Sequence, residues 1–153
     1  GDRWEGDVYN TNNTYNLTKN KQFNSLHEWI FKNVNDYAYN IGYKNKKIQC
    51  LNSWFNIYDK YNYQEKHEHY PSDISAVYYL FSPQNSGNIK FYSHEPNSTK
   101  DCYEENNPLT WSTYEMQPRN GLLLIFKSNL IHGAQQNKSN KQKISLALNF
   151  KVL

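Results

Sequence analysis

The sequence predicts a mainly β protein with one N-terminal helix, its strands forming the two facing sheets of a jelly roll. Apolar residues first recur at helical spacing near residues 24–40 and then give way to about seven segments with strand character. Aromatic residues make up 16% of the 153 residues, and 14 of them are tyrosines, which favour strands and can fill a core. The length suits one domain with one core.

We expect residues 1–153 to form that single domain, because no repeat or linker divides the chain. Residues 1–20 are polar and rich in Asn and Thr, which predicts an extended arm over the surface. Residues 93–112 form a second polar stretch that carries Pro96 and Pro108, and we interpret it as a flap or insertion.

A helix is predicted over residues 24–40. Ser25 and Glu28 have the spacing of a capping box, and Gly42 is placed to end the helix. His27 lies in the first turn, where we expect only a surface or packing role. The apolar residues at helical spacing are Leu26, Trp29, Ile30, Val34, Tyr37 and Ala38.

The rest of the chain has the pattern of strands separated by turns. Residues 82–87 and 117–121 are turns by composition. The continuous apolar run over residues 122–126 predicts a strand that is buried on both faces. The predicted strands are residues 48–58, 66–69, 74–81, 88–92, 114–116, 121–127, 131–134 and 143–151.

Three histidines have the pattern of a catalytic metal site. His67 and His69 are two residues apart on a predicted strand and therefore point to the same side, and His132 opens a distant strand. Imidazole suits iron, copper, zinc and nickel, and three such ligands on one face leave the other face open. Glu68 points to the opposite side of the strand, and Asp73 reaches the site only if its loop folds back.

A basic residue on the last strand completes the pattern. Lys143 and Ser145 share one face of that strand, where a cation and a hydroxyl can anchor the carboxylate of an acidic cosubstrate. Lys141 fits the spacing equally well, and the pattern Ile-Ser-Leu-Ala-Leu that follows Lys143 favours Lys143. Together with the histidines, this anchor suggests an iron-dependent oxygenase.

These segments resemble the 2-oxoglutarate/Fe(II)-dependent oxygenase superfamily. Its front half is matched by residues 54–56, 67–71, 75–80 and 87–91, and its back half by residues 118–126, 130–133 and 143–150. Within the superfamily the chain is most similar to small, largely uncharacterised oxygenases of bacteria and phages that are related to prolyl hydroxylases. The resemblance covers residues 20–151 and its motifs occur in the superfamily's order.

The resemblance implies a cupin-like double-stranded β-helix that binds Fe(II), the cosubstrate 2-oxoglutarate and O2. The activity it implies is hydroxylation with release of succinate and CO2. The superfamily's first and distal ligands correspond to His67 and His132. The middle ligand is usually Asp or Glu, and its position is occupied here by His69, so the chain departs from the common triad of two histidines and one carboxylate. No catalytic residue is implied beyond the metal ligands.

The resemblance also implies which residues bind 2-oxoglutarate. Lys143 and Ser145 correspond to the residues that hold its distal carboxylate, and Tyr79 to a tyrosine that donates to the same group. Asn56 and Trp54 face the same cavity by strand alternation, where they contact cosubstrate or substrate or pack in the core. The implied substrate is a peptide side chain or a small molecule, selected by the flap and the arm.

Composition limits the other partners. The net charge is +3 and the basic residues are scattered, so nucleic-acid binding is unsupported. No stretch has the length of a membrane span, and Cys50 and Cys102 are expected to be free thiols, so we expect a cytoplasmic protein. A homodimer is compatible with the sequence, which does not fix the oligomeric state.

Two alternatives remain open. One is a cupin-like enzyme with three histidines that does not use 2-oxoglutarate, which would have no need for Lys143 and Ser145. The other is a non-catalytic jelly-roll binding module that uses its many Tyr and Trp residues. His94 has no motif partner, and we expect it at the surface.

Overall fold

One long helix and ten strands make up the regular structure of the residues that the computed structural model describes, which are 2–3, 8–11, 20–94 and 110–153. The elements in chain order are β1 (Asp2–Arg3), β2 (Tyr9–Asn10), α1 (Asn24–Asn40), β3 (Ile48–Tyr58), β4 (Gln64–His67), β5 (Ile74–Phe81), β6 (Ile89–Tyr92), β7 (Thr113–Met116), β8 (Leu123–Lys127), β9 (His132–Ala134) and β10 (Lys143–Val152). The predicted helix and the strands after it are confirmed, but two short strands, β1 and β2, precede the helix and were not predicted.

The strands form two antiparallel sheets. A six-stranded sheet has the order β1-β2-β3-β10-β5-β8, and a four-stranded sheet has the order β4-β9-β6-β7. β10 lies at the centre of the larger sheet and pairs along its length with β3 and β5. Side chains from both sheets line one cavity between them, so the predicted two-sheet jelly roll is confirmed.

The helix begins differently from the prediction. A short 3-10 turn, Lys21–Phe23, precedes α1, and the Asn20 side chain accepts a hydrogen bond at its start. The residue that caps α1 is Phe23, which makes no side-chain capping bond. The predicted capping box of Ser25 and Glu28 is therefore wrong, because the chain is already turning before Ser25, which lies inside the first helical turn.

The end of the helix matches the prediction. Gly42 has a φ of +107°, a conformation in which glycine has no Cβ clash. The Gly42 N–H donates to Tyr39 O at 3.2 Å, and the Tyr43 N–H donates to Ala38 O at 2.9 Å. These two bonds form a Schellman motif that satisfies the last helical carbonyls.

α1 packs against one face of the larger sheet. Along β10 the side chains alternate, so that Leu146 and Leu148 face the helix while Lys143 and Ser145 face the cavity. The helix-side core consists of Ile30, Val34, Ala38, Ile48, Ile74, Ala76, Leu146, Leu148 and Phe150. Burial of these side chains stabilises the fold by roughly 25 cal/mol for each Å² of apolar surface removed from water.

A smaller cluster, here called the inter-sheet cluster, consists of Ile89, Phe91 and Phe126. Strand β8 reaches both cores, since Leu123 packs on the helix-side core and Leu124 on the inter-sheet cluster. Each face of this strand thus packs on a core, but the predicted burial of both faces is only partial, since Phe126 is the one fully buried residue of β8. Most of its side chains are only half-buried because β8 is an edge strand.

Of the predicted N-terminal arm, the described residues 8–11 lie against the sheet and not only over the surface. β2 pairs with β3 through Tyr9↔Ile57 and Asn10↔Asn56, and it continues the larger sheet. Val8 and Asn10 are buried, which explains why this polar segment is held in the fold. Most of the predicted flap, residues 95–109, lies outside the described residues together with Pro96, Pro108 and Cys102.

Cys50 carries a free thiol, as predicted. Burial raises the pKa of this thiol to about 11, so it stays protonated and unreactive at neutral pH. Of the helices in the described ranges, none combines the length and the apolar character that crossing a bilayer requires.

Candidate active site

The three predicted histidines converge between the sheets. His67 ends β4, His132 begins β9, and the two residues are direct partners across these strands. With His69 they place one ligating nitrogen each within 4.8 Å of the others, and the Nε2 atoms of His69 and His132 are 3.3 Å apart. Two nitrogens bound at about 2.1 Å and at a right angle to one metal ion lie about 3 Å apart. The cluster therefore has the dimensions of a single-ion site.

His69 reaches the cluster from outside the predicted strand, because β4 ends at His67. The His69 N–H donates to Ser128 O at 2.9 Å instead of continuing the pairing with β9. Pro71, which follows closely, has no N–H with which to extend a strand. The side chain still points inward, where its ring lies 5.8 Å from the Trp54 ring.

Backbone carbonyls orient two of the imidazoles. His67 Nδ1 donates to Glu65 O at 2.7 Å, and His132 Nδ1 donates to Leu130 O at 2.8 Å. With the proton fixed on Nδ1, the lone pair of each ring is on Nε2. Metal-binding histidines are typically oriented by such a bond from their other nitrogen.

Burial keeps the histidines neutral. It lowers the pKa of His132 to about 3 and that of His69 to about 4, and it also lowers the pKa of His67. The nearby His67 is a second, smaller cause for the other two. Metal ions bind the neutral form of histidine, so these imidazoles are ready to bind at physiological pH without losing a proton.

The cavity next to the histidines has no acidic lining among the described residues. The side chains that line it are those of Trp54, Asn56, Tyr58, Gln64, His67, His69, Val77, Tyr79, Ile89, His132, Ala134, Lys143, Ser145 and Ala147, together with Gly133. The charge of a bound divalent ion would therefore not be offset by this part of the protein.

The floor of the cavity is a row of polar side chains on the larger sheet. Ser145 of β10 pairs with Asn56 of β3 on one side and with Tyr79 of β5 on the other. All three are buried and line the cavity. The three predicted cosubstrate contacts other than Lys143 thus lie side by side.

Lys143 lies beside this row and is only 1% exposed. Its Nζ is 3.5 Å from Gly87 O and 4.2 Å from the centre of the Tyr58 ring, and it forms no ion pair within the described residues. Burial lowers the pKa of this amine to about 7. Lys141 is exposed, so only Lys143 of the two candidate anchors lies in the cavity.

Sequence reasoning missed Tyr58 and Gln64. The Tyr58 hydroxyl donates to Gln64 Oε1 at 3.0 Å and also hydrogen-bonds Ser145. Tyr58 is two residues after Asn56 on one strand, so strand alternation could have placed it in the cavity. Gln64 had no such signal, because β4 begins before the predicted strand.

The remaining acidic and histidine candidates lie elsewhere. Asp73 pairs with Lys151 at 3.1 Å and accepts the Val152 N–H, so it is not available to the metal cluster. Glu68 and His94 are exposed. His27 hydrogen-bonds Ser53 at 3.1 Å, a packing role as predicted.

Residues 52–149 match the protein family described as "Putative 2OG-Fe(II) oxygenase". The match spans most of the chain and includes all three histidines and Lys143. The chain therefore belongs to this family of 2-oxoglutarate/Fe(II) oxygenases, as the sequence resemblance indicated. None of the curated proteins matches the sequence significantly.

Solved structures of such oxygenases share the fold. A 2OG-Fe(II) oxygenase family protein from Burkholderia pseudomallei is 11% identical, with a TM-score of 0.61 over 77% of this chain and 51% of that chain. A prolyl-4-hydroxylase from Pseudomonas putida is 13% identical, with a TM-score of 0.61 over 95% of this chain and 70% of that chain. HygX from Streptomyces hygroscopicus, solved with nickel and 2-oxoglutarate bound, is 11% identical, with a TM-score of 0.62 over 94% of this chain and 69% of that chain.

These likenesses confirm the predicted double-stranded β-helix fold. The present chain spans about half the length of the Burkholderia protein. At these identities the likeness concerns the fold, and the chemistry has to be argued from the residues of the site.

Proposed function

We propose that this protein is a 2-oxoglutarate- and Fe(II)-dependent dioxygenase that hydroxylates a peptide side chain or a small molecule. The observation that carries the proposal is the placement in one cavity of a three-histidine cluster and a buried lysine that has no ion-pair partner among the described residues. Residues 1–153 would act as one domain, since β1 and β2 near one end of the sequence and β10 near the other belong to the same sheet.

The donor set suits Fe(II). His67, His69 and His132 would hold the ion through neutral nitrogens, and imidazole is a common ligand of iron. Three neutral ligands leave both positive charges of the ion uncompensated. A dianionic cosubstrate in the same cavity would supply the missing negative charge, so binding of the metal and of 2-oxoglutarate should be mutually favourable.

Lys143 would bind the carboxylate of 2-oxoglutarate that lies away from the metal. A lysine ammonium acts as a point charge, whereas the more usual arginine forms a two-pronged contact. The hydroxyls of Ser145 and Tyr79 and the amide of Asn56 lie in the adjacent row and would donate further hydrogen bonds. Burial strengthens such charge-assisted bonds.

When bound, the metal and 2-oxoglutarate supply with O2 the oxidative chemistry that releases succinate and CO2 and hydroxylates the substrate. The protein's own contribution is binding, orientation and exclusion of water. The buried rings of Phe126 and Phe91 lie 4.8 Å and 6.1 Å from that of His132 and pack beside this imidazole.

A three-histidine metalloenzyme that does not use 2-oxoglutarate is the second candidate. The absence of a carboxylate from the described cluster favours it. The buried Lys143 beside a row of donors argues against it, because burying an amine costs free energy unless an anion is bound there.

An oxygen-free spectroscopic titration tests the proposal. Fe(II) is added to the protein, followed by 2-oxoglutarate, and the visible metal-to-ligand charge-transfer band is recorded. We expect the band in the wild type and in the control Lys141→Ala, and an affinity for 2-oxoglutarate about 10- to 100-fold weaker in Lys143→Ala. Stoichiometric iron binding without a band would favour the second candidate, and no iron binding would contradict both.

A further inference from the structure

The amide of Asn56 is held from one side by two donors. Asn10 Nδ2 donates to Asn56 Oδ1 at 3.0 Å, and Trp54 Nε1 donates to the same oxygen at 3.2 Å. The exposed fractions of the three residues are 3%, 4% and 4% for Asn10, Trp54 and Asn56. Two buried donors therefore converge on one carbonyl oxygen.

This arrangement decides which end of the amide faces the cavity. Both lone pairs of Oδ1 are used, and the described residues offer no acceptor to the Asn56 NH2 group. Rotating the amide by half a turn would place its NH2 group against the Trp54 N–H, which can only donate, and against the present NH2 group of Asn10, so this orientation of both amides is the one that keeps both hydrogen bonds. Asn56 lines the cavity and is the strand partner of Ser145, so its NH2 group is the end of the amide left for a ligand in the cavity.

The orientation matters because the two ends of an amide have opposite effects on a carboxylate. The NH2 group donates a charge-assisted hydrogen bond to it, whereas the carbonyl oxygen repels it. In a cavity built for a dianion, an amide free to rotate would lose part of its contribution to binding.

We infer that Asn10 is a positioning residue, which holds the Asn56 amide with its NH2 group directed at a carboxylate of bound 2-oxoglutarate. This inference rests on the proposed function. Asn10 lies on β2, outside the residues 52–149 that match the family, and it reaches the site because it pairs with Asn56 across β2 and β3. The N-terminal segment would therefore be part of the binding site of this protein.

The test measures the affinity of the Fe(II)-loaded full chain for 2-oxoglutarate without oxygen. Asn56→Ala should weaken binding by about 10- to 100-fold, and Asn10→Ala by about 3- to 10-fold. In the double variant the loss should equal that of Asn56→Ala alone, because the inferred effect of Asn10 on 2-oxoglutarate binding is exerted through the Asn56 amide.

Thr11→Ala is the matched control. The Thr11 hydroxyl accepts the Phe55 N–H at 3.0 Å, so it ties the same segment to β3 at the backbone of Phe55. The affinity of Thr11→Ala for 2-oxoglutarate should stay at the wild-type value. If Asn10→Ala does not fold, Trp54→Phe replaces it, because this change removes the other donor to Asn56 Oδ1 and keeps an aromatic ring. The loss of affinity for 2-oxoglutarate caused by Trp54→Phe should likewise be smaller in the Asn56→Ala background.

Three results would overturn the inference. They are an unchanged affinity in Asn10→Ala, an equal further loss when Asn10→Ala is added to Asn56→Ala, and a loss in Thr11→Ala as large as in Asn10→Ala. If the wild type binds Fe(II) but no 2-oxoglutarate, the proposed function is overturned as well. This outcome is distinguishable from failure of the inference alone, because it is seen in the unmodified chain and not only in the variants.

Discussion

Both faces of the six-stranded sheet carry buried side chains, but the helix-side core is apolar whereas the cavity face includes buried polar and basic groups. On β10, Leu146 is 0% exposed and faces the helix, while Lys143 is 1% exposed and faces the cavity. The same alternation on β3 and β5 places apolar residues on one face, and Asn56 and Tyr79 on the other.

The difference separates stability from function. Apolar residues on the helix-side core stabilise the fold by leaving water. Buried polar groups cost free energy unless they are bonded, so a face that carries an unpaired lysine weakens the fold. Such a face makes physical sense where a ligand supplies the missing partner, which is why the cavity face is the one we assign to binding.

The largest effect is expected for the metal cluster. His132→Ala removes a buried ligand and should abolish stoichiometric Fe(II) binding, because two imidazoles remain of three. The fold should persist, since His132 is not part of the helix-side core. Calorimetric titration measures the binding and circular dichroism the fold.

The matched control for this variant is His94→Ala, which removes an exposed histidine outside the cluster. It should bind Fe(II) as the wild type does. Unchanged metal binding in His132→Ala would contradict the assignment of the cluster.

The second prediction compares how one substitution on each face of the sheet changes the stability of the fold. Leu146→Ala should lower the free energy of unfolding by about 2–5 kcal/mol, the usual cost of such a truncation in a core. Lys143→Met should raise it at pH 6. At that pH the folded protein bears the full cost of a buried ammonium, because the folded-state pKa is lowered to about 7 from 10.5. Urea unfolding without ligand measures the free energy of unfolding of both variants. A loss of stability in Lys143→Met would contradict the claim that the cavity face weakens the fold.

The third prediction concerns pH. Lys143 must be charged to bind a carboxylate, and burial lowers its pKa to about 7 in the free protein. The bound dianion raises this pKa, so affinity for 2-oxoglutarate should be highest below pH 7 and fall above it, by at most about tenfold for each pH unit. Calorimetry from pH 6 to pH 9 measures this. A flat profile in the wild type would exclude Lys143 as the charged anchor, and a flat profile is expected in Lys143→Met.

Most of the fold could be predicted from the sequence because the spacing of the apolar residues changes from helical to strand-like where the structure changes from helix to strands. The predicted strands 48–58 and 74–81 coincide with β3 and β5. β2 was missed because a strand of only two residues has no periodic pattern, and its pairing with β3 is a tertiary contact. The predicted capping box is not formed because the chain already turns at Asn20, before Ser25 is reached.

The site could be predicted in part for the same reason. Alternation along one strand placed Lys143 and Ser145 on a common face, and the structure separates Lys143 from the exposed Lys141. The position of His69 beyond the end of β4 was not predictable, since it depends on a bond to Ser128 far along the chain. The hydrogen bond from Asn10 to Asn56 likewise joins residues that no sequence pattern connects.

The most direct test of the central claim is the affinity for a divalent ion with and without 2-oxoglutarate. Mn(II), which is not oxidised during a calorimetric titration, serves as the probe. Because the cluster is neutral and the described cavity lining holds no acid, we predict that saturating 2-oxoglutarate tightens Mn(II) binding by at least about tenfold, and that Mn(II) tightens 2-oxoglutarate binding by the same factor. Equal Mn(II) affinity in both conditions would contradict the account, because the dianion would then not complete the charge of the site.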